Sequence, residues 1–169
     1  MAIVDSLYSE TLGESRTIYL QMPLGFDLSK NQKYPVAFIL DGEVLLPTVN
    51  EVQNYYSGSF TPDMILVGIA NDKNRVRDLI TSKITTKYGM SFPERNGEAD
   101  NFRKFIQQEL IPFIESKYPV TAYRTLIGHS YGGLFTLKKR FKDLLLAFKA
   151  SLNYFVDGNQ QFCTILNLW

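Results

Sequence analysis

The sequence predicts a single α/β domain with a mostly parallel sheet flanked by helices, and three observations carry that prediction. The apolar runs are short and closed by turn residues, as strands are. Two of them, 35–40 and 64–70, are apolar almost without interruption, the pattern of strands covered on both faces. The segments between and after them are longer and repeat their apolar residues at helical spacing, so strands and helices alternate.

Taken in order, 16–22 alternates as a half-buried strand does and stops at Pro23, and 24–33 carries turn chemistry at Gly25, Asp27 and Ser29. The run 35–40 ends at Asp41-Gly42, and 64–70 ends at Asn71-Asp72. Between them, 44–56 has the length of a crossover helix, with Pro47 limiting where it begins. The clearest helix starts near Asp100 as N-cap and presents Phe102, Phe105, Ile106, Leu110, Phe113 and Ile114 on one face. Pro112 lacks a backbone donor within that pattern, which predicts a kink or two helical segments meeting near Leu110. After Tyr118-Pro119, a strand at 124–127 leads into Gly128-His129-Ser130-Tyr131-Gly132. Leu134, Leu137, Phe141, Leu144, Leu145 and Phe148 then repeat at helical spacing. The Ser-, Asn- and Gly-bearing stretch 88–97 reads as a surface excursion.

At 169 residues and 45% hydrophobic, the chain fits one domain, 1–169, with enough apolar material for a core. Eighteen basic and seventeen acidic residues leave a net charge of +1, too little to draw in a nucleic acid or an anionic membrane. One cysteine, Cys163, and one histidine, His129, exclude an internal disulfide and the usual zinc sites, so no metal or cofactor is expected. Cys163 has no basic neighbour to activate it and reads as a plain thiol. The first residues lack the basic and apolar regions of a signal peptide, and no stretch reaches the ~18 apolar residues needed to cross a bilayer. The expectation is a soluble chain, cytoplasmic by default.

The chemistry lies at the serine turn. Glycines two positions either side of Ser130 let the chain pass from strand to helix so sharply that the serine backbone is strained and its hydroxyl exposed. Bulk at Gly128 or Gly132 is therefore expected to meet neighbouring backbone. The helix that begins just beyond Ser130 turns its unpaired N–H groups toward the place where an oxyanion would form. A five-residue match is weak alone, but a strand before it, an amphipathic pattern after it and Gly133 for close helix approach supply the context this motif requires.

Further matching segments surround the turn. They are Arg16-Thr17-Ile18-Tyr19-Leu20, Tyr34-Pro35-Val36 through Leu40-Asp41-Gly42-Glu43, and Ile65-Leu66-Val67-Gly68-Ile69 with Asn71 and Arg77-Asp78-Leu79. Ala99-Asp100-Asn101-Phe102, Glu109-Leu110-Ile111-Pro112-Phe113-Ile114 and 124–135 continue them. Together they resemble the putative esterase family of the α/β-hydrolases, which includes siderophore-ester hydrolases and S-formylglutathione-hydrolase relatives, over residues 7–137. The resemblance implies an α/β-hydrolase-type sheet and a serine carboxylic-ester hydrolase that acts on a small-molecule ester through an acyl-enzyme. It implies Ser130 as nucleophile and the backbone N–H of Tyr131 as one oxyanion donor. A second donor follows on the turn after the third strand, at Gly42 or Glu43; that turn reads equally well as a plain strand terminator.

The resemblance stops before a triad is complete. In this fold the chain order is serine, then Asp or Glu, then histidine. After Ser130 come Asp143 and Asp157 but no histidine, and Lys138-Lys139-Arg140 opens a divergent tail, 138–169. Only Phe148-Lys149-Ala150 and Asn159-Gln160-Gln161-Phe162 echo the family there. The expectation is a C-terminally incomplete fold, truncated or altered by a shifted reading frame, and a chain that is inactive or trace-active for want of a base. His129 adjoins Ser130, and neighbouring side chains on a strand point to opposite sides, so it is expected to pack and not to accept the serine proton. The alternative function is a non-catalytic binding or interaction protein with a degenerate hydrolase fold.

Three lesser features remain. Asp72, Lys73, Asn74, Arg75, Arg77 and Asp78 form a charged loop at the carboxyl end of a strand, where open α/β sheets take their ligands. Arg77 is the candidate substrate contact there, and a solvated loop is the alternative. Tyr55, Tyr56, Phe60, Tyr88 and Phe92 either line an acyl or aryl pocket or cover the sheet. A sheet that ended after the serine helix would leave its last strand unpaired, which predicts self-association through the tail 151–169.

Overall fold

The computed structural model describes residues 2–58, 61–87, 89–91, 93–137, 150–156 and 162–168. Strands β1 (Ile3–Ser9) and β2 (Glu14–Gln21) form a hairpin, closed by Gly13 in the left-handed region at φ 67°. Along β2 every second side chain is buried, which puts Arg16, Ile18 and Leu20 on one inner face. A single 3₁₀ turn at Leu28–Lys30 follows, with the Asp27 carboxylate accepting from the Ser29 N–H at 2.9 Å. β3 (Tyr34–Leu40) and β4 (Ile65–Ile69) are nearly fully buried and run parallel, as two uninterrupted apolar runs should.

The crossover between them is α1 (Gly42–Tyr56), which begins five residues before Pro47 and runs through it. The proline removes only the bond its nitrogen would send to Glu43, so it does not set the start. That start is set by the fold: Gly42 lies so close to β4 that a Cβ on it would sit 2.4 Å from the Gly68 Cα. After α2 (Arg75–Leu79), a small hairpin of β5 (Thr86–Lys87) and β6 (Met90–Ser91) makes the expected surface excursion. Buried Asn96 closes its base, accepting from the Ile84 N–H at 2.7 Å and donating to the Ile84 carbonyl at 2.9 Å.

The long helix is divided as Pro112 predicts. α3 (Ala99–Phe105) passes through a π turn at Ile106–Leu110 into α4 (Ile111–Lys117), and the Ile111 N–H reaches back to the Ile106 carbonyl. The wide turn accommodates a proline that has no N–H to give. Asp100 is not the N-cap, as was expected. Helix α3 starts at Ala99, whose N–H is taken by the Ile80 carbonyl at 3.2 Å, and Asp100 sits in the first turn, where its charge favours the helix dipole. Phe102, Phe105, Ile106, Leu110 and Ile114 are buried as predicted. β7 (Val120–His129) then leads through Ser130 into α5 (Tyr131–Leu137). Here the predicted face is out of phase: Leu134 is 46% exposed and Phe135 is buried, packing on Phe102 with ring centroids 5.6 Å apart. Phe141, Leu144, Leu145 and Phe148 lie outside the described residues.

The sheet order is β1-β2-β4-β3-β7-β9-β8, where β8 is Ala150–Val156 and β9 is Phe162–Leu168. Only β4, β3 and β7 run parallel to one another; β1/β2, β2/β4, β7/β9 and β9/β8 pair antiparallel. The sheet is thus mixed and not mostly parallel, because both flanks are built from hairpins and only the centre from crossovers. The tail does not leave β7 bare: β9 occupies that edge, with His129 opposite Cys163. Helices α3 and α4 cover one face of the sheet and α1 the other, giving two apolar clusters.

Candidate active site

The serine turn has the geometry its glycines imply. Ser130 sits in the left-handed region at φ 57°, one of three such non-glycine residues among those described, between the last residue of β7 and the first of α5. A non-glycine residue held there is strained and needs its surroundings to keep it there. A Cβ on Gly128 would fall 2.5 Å from the carbonyl carbon of Gly132, so strand and helix cross with no room for a side chain. Gly132 is less constrained than expected: its nearest neighbours are side-chain atoms of Leu40 at 3.4 and 3.5 Å, not backbone.

A second strained residue faces this turn. Asp41, at φ 52°, joins β3 to α1. The Val44 and Leu45 N–H groups both donate to its carbonyl, each at 3.0 Å. The N–H groups of Gly42 and Glu43 are thus the first-turn donors with no acceptor inside the helix. Since β3 and β7 are parallel neighbours with Ile39 opposite Ile127, both turns lie at the same end of the sheet. Arg75, at the start of α2, bridges them. Its Nε and Nη2 donate to the Asp41 carboxylate at 2.8 and 3.0 Å, its Nη2 also donates to the His129 carbonyl at 3.2 Å, and its guanidinium lies 5.2 Å from the Tyr131 ring centroid.

Beside these turns is a groove of about 320 Å³ lined by Asp41, Glu43, Val44, Leu45, Asp72, Arg75 and His129. Through Asp72 and Arg75 it joins a second groove of about 480 Å³, which reaches Lys73, Arg77, Pro93 and Arg95. No group of three or more His, Cys, Asp or Glu able to hold a metal ion occurs among the described residues, and no described helix is long and apolar enough to cross a membrane.

The model of the family described as "Putative esterase" matches residues 9–142. The chain belongs to that family. Among curated relatives of this esterase-family chain, the ferri-bacillibactin esterase BesA of Bacillus subtilis is 31% identical over 62% of this chain and 42% of its own length. The apo-salmochelin esterase of Escherichia coli is 28% identical over 62% of this chain and 36% of its own. Among solved structures, an IroE-like serine hydrolase from Shewanella oneidensis superposes with a TM-score of 0.72 at 31% identity, over 80% of this chain and 44% of that one. The chain therefore spans less than half the length of these relatives. The match confirms the family resemblance and extends it at the C-terminal side to Lys142.

Within this esterase fold, Arg77 is placed away from the serine turn. It is buried, donating through Nε to Asp78 at 2.8 Å and through Nη1 and Nη2 to Glu14 at 2.9 and 2.6 Å. Arg16 joins the same cluster through Glu14 and Asp78, and Asn71 links it onward: its Nδ2 donates to Asp78 at 3.2 Å while its Oδ1 accepts from the Asp41 N–H at 3.1 Å. Asp41 and Arg75 are the site residues that sequence reasoning missed. In the sequence Asp41 reads only as part of a turn and Arg75 as part of a charged loop. The available signal was the Asp-Gly pair closing a buried strand, a frequent setting for a left-handed residue. Tyr55 and Tyr56 are both exposed at the far end of α1, so they neither line the groove nor cover the sheet; Phe60, Tyr88 and Phe92 lie outside the described residues.

The cluster makes stability depend on acid. Its hydrogen bonds from Arg77 hold the Glu14 carboxyl down at about 2 against an ordinary 4.5, burial opposing and Arg16 assisting. A carboxyl with a depressed folded-state pKa contributes fully above its unfolded value and loses that contribution as pH falls toward the folded one. Denaturant unfolding is therefore expected to show stability falling between about pH 4.5 and pH 2, by up to about 3 kcal/mol for this group. Glu14→Gln should flatten the profile in that window; an unchanged profile would remove Glu14 as its source.

Proposed function

We propose that this chain carries the nucleophile side of a serine carboxylic-ester hydrolase acting on siderophore-type esters. The strained backbone of Ser130, set between a buried strand and a helix, is the observation that carries the reading. The Ser130 Oγ, its proton lost to solvent water, bonds to the ester carbonyl carbon; the carbonyl oxygen takes the displaced electron pair as an oxyanion received by the N–H of Tyr131 and by that of Gly42 or Glu43. Collapse expels the alcohol and leaves an acyl-serine, which water then hydrolyses. The siderophore esterases among its relatives supply the substrate class, and the joined grooves beside the turn offer the space.

An efficient cycle needs an imidazole to take the serine proton, and the only histidine in the sequence is His129, next to Ser130. In the 169-residue polypeptide the serine therefore reacts as its rare alkoxide, and turnover stays near the ~10³-fold over water that binding and an oxyanion hole give without a base. With 4-nitrophenyl acetate, the acylation rate should rise about tenfold per pH unit through neutrality, with no plateau near the histidine pKa of ~6.5. Ser130→Ala should abolish the acyl adduct seen by mass spectrometry. Turnover at ordinary enzymic rates that His129→Gln abolishes would mean that His129 is the base after all.

A second reading is a binding protein that keeps the sheet and uses the groove beside the turn without catalysis. A fluorophosphonate probe separates the two: covalent labelling of Ser130 at alkaline pH supports the hydrolase reading, and an unmodified serine under the same conditions supports the binding one.

A further inference from the structure

We infer that Arg75 is a positioning residue of the ester-cleaving site, stapling the turn after β3 to the serine turn after β7 and so setting the spacing between the two backbone donors. The inference rests on the hydrolase reading for its consequence, but its geometry stands apart from it. One planar guanidinium meets three groups from the two turns: the Asp41 carboxylate through two parallel bonds of 2.8 and 3.0 Å, the His129 carbonyl at 3.2 Å, and the Tyr131 ring at 5.2 Å. Only arginine has a rigid fork of donors able to do this at once; a lysine offers a single point charge.

Both contacts act on residues whose backbones need holding. The His129 carbonyl belongs to the peptide that supplies the Ser130 nitrogen, so fixing its plane restrains rotation about the Ser130 N–Cα bond, the φ that stands at 57°. Asp41 is likewise left-handed, and its carbonyl orients the first turn of α1 by accepting from Val44 and Leu45. Neither turn restrains the other through the β3–β7 ladder alone, which ends at Ile39 and Ile127. Arg75 closes that gap. Its own position is set from behind: α2 is anchored by Arg77 and Asp78 in the buried cluster, and Asn74 donates to Glu14 at 3.2 Å.

The test compares wild type with Arg75→Met, Arg75→Lys and Asp41→Asn in three measurements: the fluorophosphonate labelling rate of Ser130 at alkaline pH, the melting temperature, and amide hydrogen exchange in 41–45 and 129–133. Arg75→Met should slow labelling roughly 10- to 100-fold, the cost of misplaced donors, and should speed exchange in both segments. Arg75→Lys should recover the melting temperature but not the labelling rate, and the Arg75→Met, Asp41→Asn double variant should label no more slowly than Arg75→Met alone. Labelling of Arg75→Met within twofold of wild type, or faster exchange in one segment only, overturns the inference. If wild-type Ser130 does not label, the hydrolase reading fails and exchange alone decides the staple: protection lost in both segments supports it, in neither refutes it. If Arg75→Met does not fold, Arg75→Lys carries the comparison, and labelling at the wild-type rate overturns the inference.

Discussion

Asp78→Ala is expected to destabilise the fold by about 3 to 5 kcal/mol, the range for breaking a buried ion pair from one side. Asp78 is fully buried, and both its oxygens are used: Oδ2 accepts from Arg16 at 2.6 Å and from Asn71 at 3.2 Å, and Oδ1 accepts from Arg77 at 2.8 Å. Alanine would leave two guanidinium groups, each only 4% exposed, with Glu14 as their remaining carboxylate. A domain of this size has a total stability of roughly 5 to 15 kcal/mol, so one such loss removes a large share of it. Urea unfolding monitored by far-UV circular dichroism reads the effect as a lower midpoint at constant slope. The same substitution should also expose the serine turn, since Asn71 and α2 link this cluster to Asp41 and Arg75. A change below about 1 kcal/mol, the size of an ordinary surface substitution, would mean that the cluster is not the anchor described.

The second large effect is expected at Gly128. A methyl group there would stand 2.5 Å from the Gly132 carbonyl carbon and 2.6 Å from its oxygen, both backbone atoms unable to swing aside. Gly128→Ala should therefore cost about 3 kcal/mol, at the upper end of overpacking penalties, and should abolish fluorophosphonate labelling of Ser130 by opening the angle between β7 and α5. Gly132→Ala is the internal control. Its Cβ would meet only Leu40 side-chain atoms at 3.4 and 3.5 Å, and alanine favours a helix over glycine by up to about 1 kcal/mol. Near-neutral stability for Gly132→Ala beside severe loss for Gly128→Ala is the expected pair. Equal behaviour of the two variants would show that motif spacing, and not the close approach at Gly128, governs the turn.

Much of this was legible from the chain itself where the cause is local. The alternation of 16–22, the apolar runs 35–40 and 64–70, and the division of a helix near Leu110 each follow from side-chain period or from a proline that cannot donate, and the structure places them accordingly. Misreadings arose where a distant contact overrode the local signal. Pro47 within 44–56 reads as limiting where the crossover helix begins, yet the close packing of Gly42 on Gly68 sets the start at Gly42. Asp100 looked like a cap, yet the Ile80 carbonyl takes the Ala99 N–H and the helix begins earlier.

By itself the sequence determined the α/β grammar, the serine turn with its family, and the presence of a single histidine. These depend on residue identity, spacing and count, which need no partner. Strand direction was decided only in three dimensions, because a period of two is the same in parallel and antiparallel ladders. The same holds for Arg75 and Arg77: two positions apart on α2, their side chains diverge by about 200° around the helix axis. One therefore reaches the serine turn and the other the buried carboxylates, and only the folded neighbours on each side give that difference its consequence.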